Sequence, residues 1–230
     1  MKEIRDQLSG EQSGFEELQH YISEIEKKIS DSEKLLERDA AELSKNRKKS
    51  IPIFIKKTET LLKQLGLEKA KIEVELSDTE MFNDFGKEQI QLLFQANSGF
   101  PLKPIQTAIS GGERSRVMLS IKKLMAENAE LPTLILDEID TGVSGKVAQE
   151  MGNVMQEMAK DMQLIVITHL AQVAAKGDNN YKVLKEDVSG KTQSTIIPLN
   201  PKEKLEEIAQ LLSGSKITDA ALKQAEELMK

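Results

Sequence analysis

Residues Thr133 to Gly142 read TLILDEIDTG, a short apolar run that ends in two adjacent carboxylates. The run is too short for a buried helix and too apolar for a loop, so it reads as a buried strand with Asp137 and Glu138 at a sheet rim. A second run, Leu164 to Ile167, ends at Thr168-His169. Helical periodicity fills the intervals: Glu113 to Asn128 precedes the first strand, and Lys146 to Ala159 joins the two. Strands alternating with helices imply an α/β fold with a parallel sheet and flanking helices, and ligands beyond the carboxyl ends of the strands.

The other end of the chain has a different period. Leu8, Phe15, Ile22, Ile29, Leu36 and Leu43 fill one seam position of a seven-residue repeat, with Ile4, Leu18 and Ile25 at the second and Glu11, Ser32 and Asp39 interrupting it. A sustained first seam with a patchy second suits an antiparallel helix arm; about 40 residues at ~1.5 Å each would extend ~60 Å. An amphipathic helix packed on its own globule is the alternative. A charged content of 30% against 3% aromatic residues suits long solvated helices on a modest globular unit. Pro52 predicts a break, because proline removes a helical donor, and so divides a coiled-coil arm at 1–50 from a globular region at 51–230.

Within that region a short helix to Leu65 should close at Gly66. Strands follow at Ile72 to Leu76 and Gln89 to Gln95, around a turn at Asn83 to Gly86. Tyr181 to Leu184 and Ser194 to Ile197 read as an edge hairpin. Asn200-Pro201-Lys202-Glu203 carries the cap, proline and glutamate of a helix start, and Thr218-Asp219 opens a last helix. A net charge of -6 excludes a generally basic nucleic-acid coat, although local patches can still bind phosphates. The lack of cysteine excludes disulfides and thiolate metal sites. With no apolar run of membrane length and no apolar signal core near the start, a cytoplasmic protein without a membrane partner is expected.

The chemistry gathers around the first strand. Asp137 is placed to coordinate Mg²⁺ through water, and Glu138 to polarise the water that attacks a γ-phosphate. A pair of capping or surface carboxylates is the plainer reading. Upstream, Ser110-Gly111-Gly112-Glu113 opens an amphipathic helix, where a hydroxyl, close-approaching glycine backbone and unpaired amides favour phosphate. An ordinary serine cap would read much the same. His169 ends the neighbouring strand, within reach of the γ-phosphate or the attacking water, whereas His20 lies on the arm. Asp140 is expected to connect the hydrolysis site to a facing subunit. Leu8-Ser9-Gly10-Glu11-Gln12 imitates the signature inside the arm, with no nucleotide strand behind it. Gly142 to Lys146 imitates a phosphate loop, but the G-x-x-x-x-G-K-[S/T] spacing is absent there and throughout the chain.

The ordered set ISGGERSRVMLSIK, LILDEIDTGVSGKVAQ and ITHLAQVAAKGD resembles the ABC-type ATPase heads of the SMC-like proteins, and within them the bacterial RecN family of double-strand-break repair proteins. The likeness extends to LSKNRK, FQANSGFPLKPI and the tail EIAQLLSGSKITDAALKQAEEL, and so covers most of the chain after about residue 40. It implies that 51–230 is the carboxyl-terminal lobe of an ABC-type head, preceded by the arm. Ser110, Gly111, Gly112 and Glu113 would be the signature, Asp137 and Glu138 the Walker B pair, Asp140 the D-loop and His169 the switch. ATP and Mg²⁺ are the implied cofactors. The missing amino-terminal head lobe, a second head in a homodimer, and DNA are the implied partners, and a nucleoid-associated location follows.

Arg114 in place of an apolar residue, Ile109 leading the signature, and Ala171 in place of proline depart from the family pattern without removing a group that the chemistry needs. With no phosphate-loop lysine, the chain by itself is expected to bind and hydrolyse ATP poorly, as a carboxyl-terminal fragment of a longer ATPase would. Clamping or tethering of DNA by paired heads is the leading function. The alternatives are an ATPase subunit of another ABC or SMC assembly, of which the arm and tail weigh against an ABC transporter, and a non-hydrolytic interaction module. Lys45, Arg47, Lys48, Lys49, Lys56 and Lys57 form a basic run for a DNA backbone, or equally a solvated helix face.

Overall fold

Helix α1 runs from Lys2 to Gln64, through Pro52, where the sequence predicts a break. The ring of Pro52 leaves the Lys48 carbonyl without its helical donor, a loss of about 3 kcal/mol in a dry environment. Pro52 is exposed, however, so water can serve that carbonyl and the helix continues. The computed structural model describes residues 2–108, 111–129, 131–188, 191–214 and 216–230. They fall into two compact units, one comprising the chain up to Ile53 with Glu75–Gln91, the other Phe54–Val74 with Leu92–Lys230.

In the first unit α1 carries the heptad seam. Phe15, Leu18, Ile22, Ile25, Ile29 and Leu36 are exposed along it. The side chains of Ile4, Leu8 and Glu11 lie outside the described ones. Strands β1 (Lys71–Asn83) and β2 (Gly86–Gln95) form a hairpin longer than the sequence predicts. Its tip lies against α1, with Gly86 beside Leu43. One buried carboxylate fastens it: Glu88, with 5% of its side chain exposed, accepts from Ser44 Oγ at 2.6 Å and Arg47 Nη1 at 3.2 Å. Arg47 Nη2 also donates to the Phe85 carbonyl at 2.6 Å, and Lys48 Nζ stands 3.9 Å from Glu88.

The second unit supplies the alternation that the sequence predicts. Strand β3 (Lys103–Pro104) pairs antiparallel with β2, followed by α2 (Ile105–Ala108) and α3 (Gly111–Ala129). Strand β4 (Thr133–Asp137), helix α4 (Gly145–Met158) and strand β5 (Gln163–Ile167) make a crossover, and β4 and β5 pair in parallel with Asp137 opposite Ile167. Leu119, Leu136, Ile139, Met151, Val154 and Val173 close one core over this pair. Each fully buried aliphatic side chain there contributes about 1.5–3 kcal/mol.

A short helix, α5 (Ala171–Ala174), follows β5. Strands β6 (Tyr181–Val188) and β7 (Lys191–Pro198) pair antiparallel as a separate sheet, and do not edge the parallel one. Helix α6 (Pro201–Ser213) begins with the predicted capping box, in which Asn200 Oδ1 accepts from the Glu203 amide at 3.0 Å and Glu203 accepts from the Asn200 amide at 2.8 Å. Thr218 caps α7 (Asp219–Leu228), accepting from the Ala221 amide at 3.2 Å.

The Ser44 hydroxyl, together with Arg47 and Lys48, holds the Glu88 carboxyl below the usual carboxylate range against the opposing push of burial. Because the folded value is depressed, the stabilisation is full above the unfolded carboxylate range and disappears as pH falls through the folded one. Glu88→Ala should therefore cost about 2 kcal/mol at neutral pH and much less in acid, read by urea unfolding of the hairpin amides at both pH values.

Candidate active site

Two turns, one after each parallel strand, bring the predicted residues to the same rim. Strand β4 ends at Asp137, which is exposed, and Glu138 follows with φ of 49°, the one non-glycine residue with positive φ among those described. Left-handed backbone costs an ordinary residue about 1–2 kcal/mol. Its effect is to reverse the chain within one residue, so that Ile139 returns to the core at 7% exposure and Asp140 is fully buried, while Asp137 and Glu138 stay outside. No side-chain hydrogen bond or ion pair holds either exposed carboxylate among the described residues.

The turn is held from within. Thr141 donates its amide and its hydroxyl to the Glu138 carbonyl, at 3.3 and 2.9 Å, and the Val143 amide donates to the Asp140 carbonyl at 3.3 Å. Its next contact is with the predicted signature. Gly111, Gly112 and Glu113 form the first turn of α3, and Ser110 lies outside the described residues. A Cβ on Gly112 would stand 2.4 Å from the Gly142 carbonyl oxygen, and one on Gly142, whose φ is 74°, would stand 3.0 Å from the Gly112 nitrogen. Backbone therefore touches backbone, which only glycine allows on both sides.

Ser115 strengthens this contact by donating to the Thr141 carbonyl at 2.9 Å. Arg116 reaches back from α3, with Nε on the Gly112 carbonyl at 2.9 Å and Nη1 on the Leu65 carbonyl at 3.3 Å. Burial pushes its guanidinium pKa down, which Glu113 partly offsets. Ser115, Arg116, Gly142 and Thr168 are not marked as site residues by the sequence alone. Their signal was position alone, one turn from a glycine pair or one residue from a histidine.

Thr168 and His169 leave β5 beside Asp140. Thr168 Oγ1 donates a short hydrogen bond to Asp140 Oδ2 and accepts from the Leu170 amide at 3.0 Å. His169, with 68% of its side chain exposed, sets Nδ1 3.8 Å from Asp140 Oδ1. The structure thus joins Asp140 with His169, and Gly112 with the turn after Glu138. It forms no direct bond from Asp137 or Glu138 to His169, although their strands are neighbours.

The donor set fits a magnesium ion of the kind that phosphates complete. Among the described residues no three acidic or histidine side chains converge as a cage. Mg²⁺ in nucleotide sites commonly takes one or two carboxylates, several waters and phosphate oxygens, and Asp137, exposed and without a side-chain partner among the described residues, is available as one such carboxylate.

No family model matches the chain. It is similar to DNA repair protein RecN of Haemophilus influenzae, with 32% identity over 216 residues, 94% of this chain and 38% of that protein. Against RecN of Rickettsia conorii identity is 37% over 218 residues, 90% of this chain and 40% of the relative. Against that of Bacillus subtilis it is 30% over 243 residues, covering 99% and 42%. The chain thus spans about two fifths of the length of these relatives.

Among solved structures, the Smc head domain with a coiled coil and joint from Pyrococcus yayanosii superposes with a TM-score of 0.59 at 19% identity, over 75% of this chain and 32% of that one. An SMC ATPase described for ATP-driven dimerization and DNA-stimulated activation gives 0.52 at 17%, covering 73% and 96%. These structural likenesses establish the fold: α/β, of the SMC head type, with a long helix before it.

The contact between Gly112 and Gly142 has a direct test. Gly112→Ala should destabilise the second unit by about 1–3 kcal/mol, because its methyl meets a carbonyl rather than a movable side chain. Gly111→Ala, which meets nothing within 4 Å, should leave the melting temperature unchanged.

Proposed function

We propose that this chain, which belongs to the RecN family of DNA repair proteins, supplies the signature and Walker B half of an ATPase head and is completed by a lobe carrying the phosphate loop. The observation that carries this reading is the open face of the parallel pair. Leu134, Leu136, Leu164 and Val166 turn one face of β4 and β5 into the core. On the other face Ile135, Ile165 and Ile167 are 59%, 44% and 52% exposed. Parallel sheets are stable with both faces covered, so this one calls for a second layer. Strand alternation puts Asp137 on the same face as Ile135, so whatever covers the isoleucines meets the metal-binding carboxylate.

In the completed head Asp137 would hold Mg²⁺, which would supply charge neutralisation to the nucleotide's phosphates. Glu138 polarises the attacking water, and His169 addresses that water or the γ-phosphate. Ser110, Gly111, Gly112 and Glu113 offer amides and a hydroxyl to ATP gripped by a facing head, so two heads enclose two nucleotides in a homodimer. The division into an arm at 1–50 and a head lobe at 51–230 belongs to this reading, with the uncovered seam of α1 awaiting a second helix.

DNA is the proposed macromolecular partner, and clamping or tethering it on the nucleoid the proposed task. Arg47 is committed to Glu88 and Phe85, and Lys48 stands 3.9 Å from Glu88, which leaves Lys45, Lys49, Lys56 and Lys57 as the exposed lysines of the basic run not engaged with that carboxylate. Contacts of this kind go to phosphates and are sequence-independent.

Mixing the chain with the amino-terminal lobe should restore Mg²⁺-dependent ATP hydrolysis, and Ile165→Glu should abolish the pairing while leaving the separate chain folded. A stable pair without turnover would favour the non-hydrolytic module. In the complete protein Glu138→Gln should retain ATP binding and lower kcat by about 10²–10⁴-fold, with longer-lived paired heads; unchanged turnover removes Glu138 as the base. Reversing Lys45, Lys49, Lys56 and Lys57 to glutamate in the complete protein should weaken DNA binding and flatten its salt dependence. An unchanged salt slope would remove these lysines from the contact.

A further inference from the structure

Asp140 is the odd member of the rim. Its side chain is completely buried, and only one of its two oxygens is satisfied: Oδ2 accepts from Thr168 Oγ1, while Oδ1 has no hydrogen-bond partner among the described residues. A buried carboxylate oxygen left unpaired is costly, so a donor should lie close by. His169 offers one: its Nδ1 is 3.8 Å away, beyond a hydrogen bond by less than an ångström and within a small swing of an exposed ring.

We propose that Asp140 is a positioning residue for His169: its free oxygen keeps the imidazole proton on Nδ1 and turns Nε2, with its lone pair, outward to the nucleotide. Thr168 fixes the carboxylate for this task. Its hydroxyl occupies Oδ2 and is itself oriented by the Leu170 amide, so Oδ1 is the oxygen left facing the histidine. The ring nitrogen that carries the proton is set by the hydrogen bond of the other end, as with other carboxylate-held histidines. This goes beyond the expectation that Asp140 reaches a facing subunit. A fully buried side chain engaged with its own β5 turn acts within its own head.

The consequence rests on the ATPase reading proposed above. With Nδ1 protonated, Nε2 is the acceptor end of the ring and takes a hydrogen bond from the attacking water, alongside Glu138. His169 then orients the water, and its nitrogen proton stays on the protein side.

The tautomer is measurable without any nucleotide. The chain has two histidines, so His20→Gln leaves a single imidazole, and long-range ¹H–¹⁵N correlation of the full chain with its ring neutral reads which nitrogen is protonated. The expected result is the proton on Nδ1. Asp140→Asn and Thr168→Val should move it to Nε2, the form favoured by free imidazole, and Thr168→Ser should keep it on Nδ1 by restoring the hydroxyl. A wild-type spectrum with the proton on Nε2 overturns the proposal, and so does an unshifted spectrum in Asp140→Asn. Because the wild-type spectrum already decides, a variant that fails to fold does not remove the test. In the completed head Asp140→Asn should lower kcat by about tenfold or more, with KM for ATP within about twofold; a loss confined to KM overturns the positioning role. A completed head with no hydrolysis at all would defeat the ATPase reading, and the tautomer would still decide this one.

Discussion

The approach of Gly112 to Gly142 is the constraint on which the rim depends. A helix start and a strand-end turn meet there through backbone alone, and the contact leaves no room for a side chain on Gly112. Backbone contacts of this kind cannot adapt by changing rotamer, so a side chain added at Gly112 could be accommodated only by shifting backbone. Ser115 on the Thr141 carbonyl and Arg116 on the Gly112 carbonyl add hydrogen bonds on either side of the contact. The glycine turn and the carboxylate pair are thereby tied to each other, although they come from separate elements.

The second constraint is the parallel pair itself. Two parallel strands bury one face with their own crossover helix and nearby elements, and the isoleucines on the other face stay wet. A sheet of only two parallel strands is not a complete layer by the usual economy of α/β folds. This open face, ending in an exposed aspartate and a left-handed glutamate, is where the proposed second lobe would lie. Backbone strain at Glu138 fits that view, since such strain persists where the surrounding structure over-determines it and gathers at working sites.

Much of this was legible in the sequence, for reasons that can be named. The crossover and the helix starts at Asn200 and Thr218 rest on local rules: period, apolar run length, capping side chains. Those rules fail where a solvent or tertiary term outweighs them. Pro52 is a helix breaker in isolation, yet an exposed carbonyl four residues back loses little, and α1 goes on to Gln64. The hairpin tip against α1 depends on Glu88 finding Ser44 and Arg47 more than 40 residues away, which no window along the chain contains. At the rim, residue types marked the strands and the charged ends. The side chains that hold the rim, Ser115 and Thr168, are ordinary hydroxyls until their partners are known.

Environment, rather than residue type, divides the three acids at the end of β4. Asp137 and Glu138 face water, without side-chain partners among the described residues. Asp140, two residues beyond Glu138, is buried and anchored by Thr168, with a single oxygen left for one neighbour. Carboxylates so close in sequence would repel if they shared a site. The left-handed step at Glu138 leaves two of them exposed and buries the third, so the ligation, water activation and imidazole orientation proposed for them would not crowd like charges together.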